Sequence, residues 1–421
     1  MLNLLFWGGF VVEGFPSNRR LCCSGVQSAV KKTQPDASNT PSADPNAGHP
    51  YELKLVQVVF RHGARTPLKT IPDVMEWVPA LLDPPPHTHI NYVVTDLQGG
   101  PRPPAPIEEN YRKNILSGGT FPGQLTTLGM QQLYDLGTRL RKIYVEELSF
   151  LNSSFTPAEV YVRSTNIVRT VESARCLIAG LFQQKQKEIV PILTTQAESE
   201  ILYPNYHGCK LLKARCSHRW AESSTLPEIA ADLQSIHSAL GIADHHRVDF
   251  ILIRDDMVAR ETHGLPSPPA LESWRDTVER RAVDMMFHVF QPSNRQNLQL
   301  SVGPLLHTLL DNMDEKLQGT SSEPNRKLFL YSAHDTTLIP CLMALGIFDK
   351  KWPPYGADIT VELHQNQQTN EPFVKVSYIG ELIPGCSGVY CPLQEFKQAI
   401  AACSLNVERY HSLCDSTEPE P

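Results

Sequence analysis

Nowhere in its 421 residues does the chain carry an apolar run that reaches the roughly 18–20 residues of a membrane-spanning helix. The longest candidate, residues 4–12, is too short, and no basic residue precedes it as one would in a secretory leader. Basic residues are not in excess either. Lys and Arg number 38 against 45 Asp and Glu, a net charge of −7. That balance speaks against nucleic acid as a partner, because a phosphate backbone attracts basic faces. No H-E-x-x-H or comparable pairing occurs among the 15 histidines, His87/His89 and His245/His246 included. The ten cysteines contain no two pairs at zinc-ligand spacing. No metal or other cofactor is therefore expected, and the absence of an internal repeat excludes a solenoid.

What is present is one large globular stretch between two polar ends. Residues 33–50 (TQPDASNTPSADPNAGHP) have almost nothing to bury and read as a linker, and residues 415–421 (DSTEPEP) read as an acidic tail. The folded domain is expected over 51–414, with 1–50 as targeting segment and linker. Arg19, Arg20, Lys31 and Lys32 meet only one acid, Glu13, before Asp36, a bias like that of a mitochondrial presequence. The secretory pathway and a disordered tail are the alternatives. Cys209/Cys216, Cys386/Cys391 and Cys403/Cys414 are close pairs that could close small loops in an oxidising compartment; free buried thiols are the other reading.

Short, nearly continuous apolar runs at 53–60 (LKLVQVVF), 159–162 (EVYV), 327–331 (KLFLY), 359–363 (ITVEL) and 373–379 (FVKVSYI) predict central strands covered on both faces. Between them, 126–144 places Leu128, Leu133, Leu136, Leu140 and Ile143 at helical spacing, with a threonine to cap it and Gly129 and Gly137 as modest costs. Helices are also expected over 170–182 and 336–345. Strands alternating with helices predict an α/β domain on a mostly parallel sheet. Residues 66–122 are Pro-rich and long for a loop, which suits a functional segment. Residues 205–300 read as an inserted, mainly helical cap, with DFILI (249–253) its one strand-like run.

The chemistry lies where three strands end. The first runs into Arg61-His62-Gly63-Ala64-Arg65-Thr66-Pro67, the second into Arg163-Ser164-Thr165-Asn166, and the third into His334-Asp335. Ligands of open α/β sheets bind outside the carboxyl ends of strands. Three arginines and two histidines brought together repel one another unless an anion joins them, and a phosphate dianion accepts paired N–H donors from each guanidinium. Arg61 and Arg65 would keep His62 neutral and therefore nucleophilic. Gly63 would let the backbone approach closely. Asp335, with its pKa raised beside a bound dianion, would protonate the leaving alkoxide and then activate water. His334 would donate to the transferring group. The expected activity is a metal-free phosphomonoesterase with a phosphohistidine intermediate.

Arg61-His62-Gly63-x-Arg65-x-Pro67, together with Arg163-Ser164-Thr165, His334-Asp335, Gly385-Cys386 and Cys391-Pro392-Leu393, resembles the histidine acid phosphatases, branch 2 of the histidine phosphatase superfamily. The match covers about residues 51–403. The resemblance implies a phosphoglycerate mutase-like fold, His62 as nucleophile, Asp335 as proton donor, and Arg61, Arg65, Arg163 and His334 as substrate-binding residues. It also implies a Cys386–Cys391 disulfide. The family commonly has R-S-T-D where this chain has Asn166. The surrounding VRSTNIVRTVESARCLIAGLF resembles a mitochondrial member that cleaves lysophosphatidate to monoacylglycerol, which implies a lysophospholipid substrate.

Its physical counterpart is the apolar stretch 68–82, where Ile71, Val74, Met75, Trp77, Val78 and Leu81 would wall an acyl chain or pack a helix on the core. A lipid substrate would bring at most peripheral contact with a membrane, and a monomer is expected. Two other readings stand beside this one. A phosphatase for phosphotyrosine or inositol phosphates would fit the same site, but 66–122 holds few cations for a polyphosphate: Lys69, Arg102, Arg112 and Lys113. A non-catalytic phospholigand-binding module is the second, disfavoured by the intact His62 and Asp335. Tyr203, Tyr206, Glu261 and His263 are weaker candidates for the pocket rim.

Overall fold

A computed structural model of the chain describes residues 50–71, 75–183, 188–242, 248–320, 323, 325–385 and 388–415. The targeting segment and linker through residue 49, the tail from 416, and Val74, His245, His246 and Cys386 lie outside the described residues.

In chain order the strands are β1 (Tyr51–Arg61), β2 (Tyr92–Thr95), β3 (Val160–Ser164), β4 (Val190–Leu193), β5 (Leu328–Ala333), β6 (Asp358–Asn366), β7 (Pro372–Tyr378), β8 (Glu381–Ile383) and β9 (Cys391–Pro392). They form one sheet in the order β9-β7-β6-β1-β5-β3-β4-β2, with β8 also on β7. The five strands from β1 to β2 are mutually parallel. β6, β7, β8 and β9 add antiparallel pairs beyond β1. The runs at 359–363 and 373–379 are therefore strands, but of an antiparallel hairpin. The few residues between β6 and β7 can make a turn and cannot make the long crossover that parallel strands require.

Alternation along β1 assigns its faces. Val56, Val58 and Phe60 are buried with α2 (Thr127–Arg141) and α3 (Val168–Phe182) on one side of the sheet. Leu55 and Val59 are buried on the other side with the helices that follow. The cost assigned to Gly137 is offset by packing: a Cβ there would lie 2.0 Å from Leu177 O, so this glycine lets α2 and α3 touch backbone to backbone.

The helical stretch contains α4 (Lys210–Ser223), α5 (Pro227–Leu240), α6 (Phe250–Thr262), α7 (Pro269–Phe290) and α8 (Arg295–Gln318). DFILI is the start of α6. Asp249 caps it, accepting from Leu252 N at 2.9 Å, and the apolar run then continues at helical spacing.

Cys209, at the start of α4, is joined to Cys414 of α11 (Val407–Asp415) in a disulfide. Neither the Cys209/Cys216 nor the Cys403/Cys414 pair forms; Cys216 is a buried free thiol, as in the other reading, and Cys403 a half-buried one. Residues seven apart along a helix are separated by about 10 Å, beyond the reach of a disulfide.

Candidate active site

The sheet register brings three strand ends to one level. Arg61 pairs with Ala333, and Ser164 with Ser332. Just past these ends, His62 N donates to Ala333 O at 3.0 Å and Thr165 N to Ser332 O at 3.2 Å. His62 and His334 consequently meet edge to face, ring centroids 5.5 Å apart. Behind them, the loop after His62 lies against the first turn of α2. A Cβ on Gly63 would sit 2.2 Å from Gly129 O, and one on Gly129 would sit 2.1 Å from Ala64 O. The close approach that Gly63 allows is thus to a helix of the protein itself.

His62 is buried, and its Nδ1–H donates to Gly63 O at 2.9 Å, which leaves Nε2 unprotonated. Burial, and then the charges of Arg169, Arg65 and Arg61, hold its pKa well below the usual histidine value. His334, at the start of α9 (Asp335–Ala344), is shifted down for the same leading reasons, burial and then Arg169. Its Nε2 lies 3.0 Å from Thr165 Oγ1, which in turn lies 2.7 Å from Thr170 Oγ1. Thr170 donates to Ile167 O at 2.8 Å, so the chain of hydroxyls runs away from His334 and the imidazole is the donor at its head.

Each nearby cation except one has a carboxylate. Arg61 Nη2 is 2.8 Å from Asp335 Oδ2, and its guanidinium lies 4.2 Å from the ring centroid of Tyr355. Arg65 donates to Asp255 of α6 at 2.7 and 3.3 Å. Arg254 pairs with Glu279 at 2.7 Å. Arg169, in the first turn of α3, is buried and has no carboxylate partner among the described residues; it stacks on Tyr111. Its Nε and Nη1, and the Nε of Arg61 and Arg65, make no hydrogen bond within the described protein. Buried donors without partners are rare unless a site exists to use them. Burial alone would push the Asp335 carboxyl up, but Arg61 and Arg65, with the indole N–H of Trp352, hold it well below the carboxylate range. These groups favour the ionised carboxylate; the raised pKa expected of Asp335 applies only beside a bound dianion.

Arg163 departs from expectation. Its Nη2 is 3.1 Å from Glu200 Oε1, and it is not among the main charges acting on His62, His334 or Asp335. Arg163 Nε, like that of Arg169, makes no hydrogen bond within the described protein, but it is Arg169, six residues on, whose charge acts on both His62 and His334. Asn166 also has a definite task. It accepts from Arg102 Nε at 2.8 Å and donates to Pro103 O and Pro104 O at 2.9 and 3.1 Å. This anchors the Pro-rich segment that carries Tyr111 over Arg169. Tyr203 is near, its ring centroid 6.2 Å from that of His334. Glu261 instead pairs with Arg275, and His263 bonds to Thr126 Oγ1 at 2.8 Å behind the loop. Tyr206 is packed in the core on the helical side.

A family model for branch 2 of the histidine phosphatase superfamily matches residues 52–379. The chain belongs to this family. Lysophosphatidic acid phosphatase type 6 of Homo sapiens is 46% identical to it over 372 residues, 87% of each chain. That of Bos taurus is 47% identical over 373 residues, again 87% of each. Prostatic acid phosphatase of Homo sapiens is 28% identical over 377 residues, 83% of this chain and 85% of that one. Among solved structures, Hafnia alvei phytase in its apo form superposes with a TM-score of 0.57 over 86% of this chain and all of that one, at 17% identity, which speaks to fold alone.

In this histidine phosphatase the expected apolar wall is divided between the interior and the surface. Ile71 and Trp77 are buried, the latter with Leu116 and Ala259, and the only helix over the described part of 68–82 is a short 3-10 turn at Pro79–Leu82. Leu68, Met75, Val78 and Leu81 retain exposure. A Cβ on Gly123 would lie 3.0 Å from Arg169 Nη1 and 3.1 Å from Leu68 Cδ2, so an apolar side chain and the guanidinium face the same glycine. Arg169, Thr165, Trp352, Tyr355 and Asp255 were not assigned from the sequence. Only Arg169 carried a usable signal, its position in the first turn of the helix after a strand end.

Proposed function

We propose that this histidine phosphatase hydrolyses lysophosphatidic acid to monoacylglycerol and inorganic phosphate through a phosphohistidine at His62. The observation that carries the reaction is Arg169, a buried guanidinium without a carboxylate beside a neutral imidazole whose free nitrogen is Nε2. A phosphate dianion supplies the missing charge, accepting from Arg61, Arg65 and Arg169. The lipid substrate is supported by the relatives that bear that name at 46–47% identity, and by Leu68, which faces the same glycine as Arg169.

The Nε2 lone pair attacks phosphorus, and the bond from phosphorus to the glycerol oxygen breaks with its electron pair on that oxygen. Asp335, protonated once the dianion offsets Arg61 and Arg65, gives its proton to the departing alkoxide. Asp335, now a carboxylate, takes a proton from water as the water oxygen attacks phosphorus, and the N–P bond pair returns to Nε2. His334, its proton affinity raised by the dianion, completes the ring of donors. The guanidinium groups do the charge work of the transition state.

The test is a panel of monoesters: lysophosphatidates of graded chain length, phosphotyrosine and inositol hexakisphosphate. Preference for lysophosphatidate, lost in His62→Ala at unchanged fold, is the expected result. Equal or higher kcat/KM on the other two overturns the lipid reading, and full activity of His62→Ala overturns the mechanism. We also propose a mitochondrial location in an oxidising space, supported by the Cys209–Cys414 disulfide and the basic bias before residue 36, with the secretory pathway as alternative. Cell fractionation decides between them.

A further inference from the structure

We propose that Trp352 is a positioning residue that decides which oxygen of Asp335 carries the transferable proton, and that Arg254 of α6 strengthens its hold. The inference rests on the role proposed above for Asp335. Trp352 lies 17 residues beyond Asp335, past the end of α9, and its indole Nε1–H donates to Asp335 Oδ2 at 3.0 Å. Arg61 Nη2 reaches the same oxygen at 2.8 Å. Two donors occupy the two in-plane lone pairs of Oδ2. Oδ1 accepts from Thr336 N at 2.8 Å, in the first turn of α9, and keeps its second lone pair. A proton arriving at this carboxyl therefore settles on Oδ1. When it is used, the O–H pair stays on Oδ1 and the proton bonds to the leaving oxygen.

The indole is itself held from the helical side. The Arg254 guanidinium lies 4.5 Å from its ring centroid, and Glu279 Oε2 accepts from Arg254 Nε at 2.7 Å. A cation on the face of the ring draws electron density from it and makes the N–H a better donor. The next residue, Asp255, grips Arg65. Adjacent residues of one helix thus reach the acid through Trp352 and the phosphate side through Arg65. On the opposite flank, Pro353 O accepts from Arg61 Nη1 at 2.6 Å, which fixes the backbone beside Trp352. If the indole N–H is lost, a lone pair on Oδ2 opens and competes for the proton on the wrong oxygen.

Trp352→Phe keeps an aromatic ring near Arg254 and removes the N–H together with the second ring of the indole. An acid out of place matters for a poor leaving group and little for a good one. For glycerol 3-phosphate, kcat/KM should fall about tenfold, the worth of one hydrogen bond to a charged group. For p-nitrophenyl phosphate it should stay within about threefold. Arg254→Met should show the same preference at about threefold, and it serves if the first variant does not fold. Equal losses for the two esters, or no loss for either, overturn the proposal. Rapid quench of wild type with 32P-labelled p-nitrophenyl phosphate separates the two levels. A wild type that forms no phosphohistidine sinks the mechanism itself. One that forms it, while Trp352→Phe treats both esters alike, sinks only the positioning role.

Discussion

The guanidinium of Arg169 lies 5.0 Å from the ring centroid of Tyr111, carried there by two different pieces of chain. Arg169 belongs to the first turn of α3. Tyr111 ends α1 (Pro106–Tyr111), and Glu108 of that helix accepts from Val168 N at 3.0 Å. The long Pro-rich segment is thereby fixed over the start of α3, with Asn166 as its second anchor. A buried cation is given an aromatic face and, among the described residues, no counter-charge, an arrangement that leaves its attraction for an anion intact.

Arg163 and Arg169 should behave oppositely when removed. Arg169→Ala is expected to lower kcat/KM by about 10²–10³-fold with little change in stability, as loss of one preorganised donor does. Arg163→Ala leaves Glu200 buried without its partner and should cost about 3–5 kcal/mol of folding stability. Steady-state kinetics and chemical denaturation of both variants measure this. A stable but inactive Arg163→Ala would restore Arg163 to the phosphate.

Much of this site was legible in the sequence because strand ends announce themselves. Arg61, His62, Arg65, His334 and Asp335 follow runs whose hydrophobicity stops abruptly, and parallel register delivers them together. Arg163 misled for the same reason. It too ends an apolar run, but β-strand alternation turns it toward Glu200, and the direction of one side chain at a strand end cannot be read from composition. Trp352, Tyr355 and Asp255 sit in a loop and on a helix whose packing is tertiary, with no local pattern to mark them. The antiparallel half of the sheet was hidden likewise, since ITVEL and FVKVSYI look the same in either direction. The Cys209–Cys414 pairing depends on α11 lying beside α4, a relation with no counterpart in cysteine spacing.

Anion binding should be linked to proton uptake by Asp335. In the free protein Arg61 and Arg65 outweigh burial and keep this carboxyl ionised. A bound dianion cancels those charges and draws a proton onto it. A group that gains a proton on binding makes binding tighter as pH falls, by up to about tenfold per pH unit for each proton. His334, also held low by burial and Arg169, shifts in the same direction, whereas His62 must stay neutral to keep the Nε2 lone pair. Calorimetric titration with sulfate in buffers of different ionisation enthalpy should find about one proton fewer for Asp335→Asn than for wild type. Equal uptake by the two proteins would place the proton elsewhere.

Gly63 and Gly129 form a contact with no room for a methyl group. In either direction a Cβ would lie within 2.2 Å of a carbonyl oxygen that belongs to backbone and cannot swing aside. Gly129→Ala should therefore push α2 away from the loop that carries His62. Expected losses are about 1–3 kcal/mol of stability, as for other overpacked sites, and a fall in kcat that exceeds any change in KM. Thermal denaturation and kinetics test this together; normal stability and turnover in the Gly129→Ala variant would mean the helix and loop are not in contact.

The Cys209–Cys414 disulfide closes a loop 205 residues apart in sequence and ties α11 to the start of α4. Its largest effect should be on the unfolded chain, whose freedom a long closed loop restricts. Cys414→Ser is expected to lower stability by about 2–5 kcal/mol and to abolish the effect of reductant on the melting temperature. Activity at low temperature should persist, because neither cysteine belongs to the strand ends that hold His62 and Asp335. If wild type melts at the same temperature with and without reductant, while the thiols become reactive to alkylation, the crosslink contributes nothing to stability and α11 is held by packing of Tyr410 and its neighbours alone.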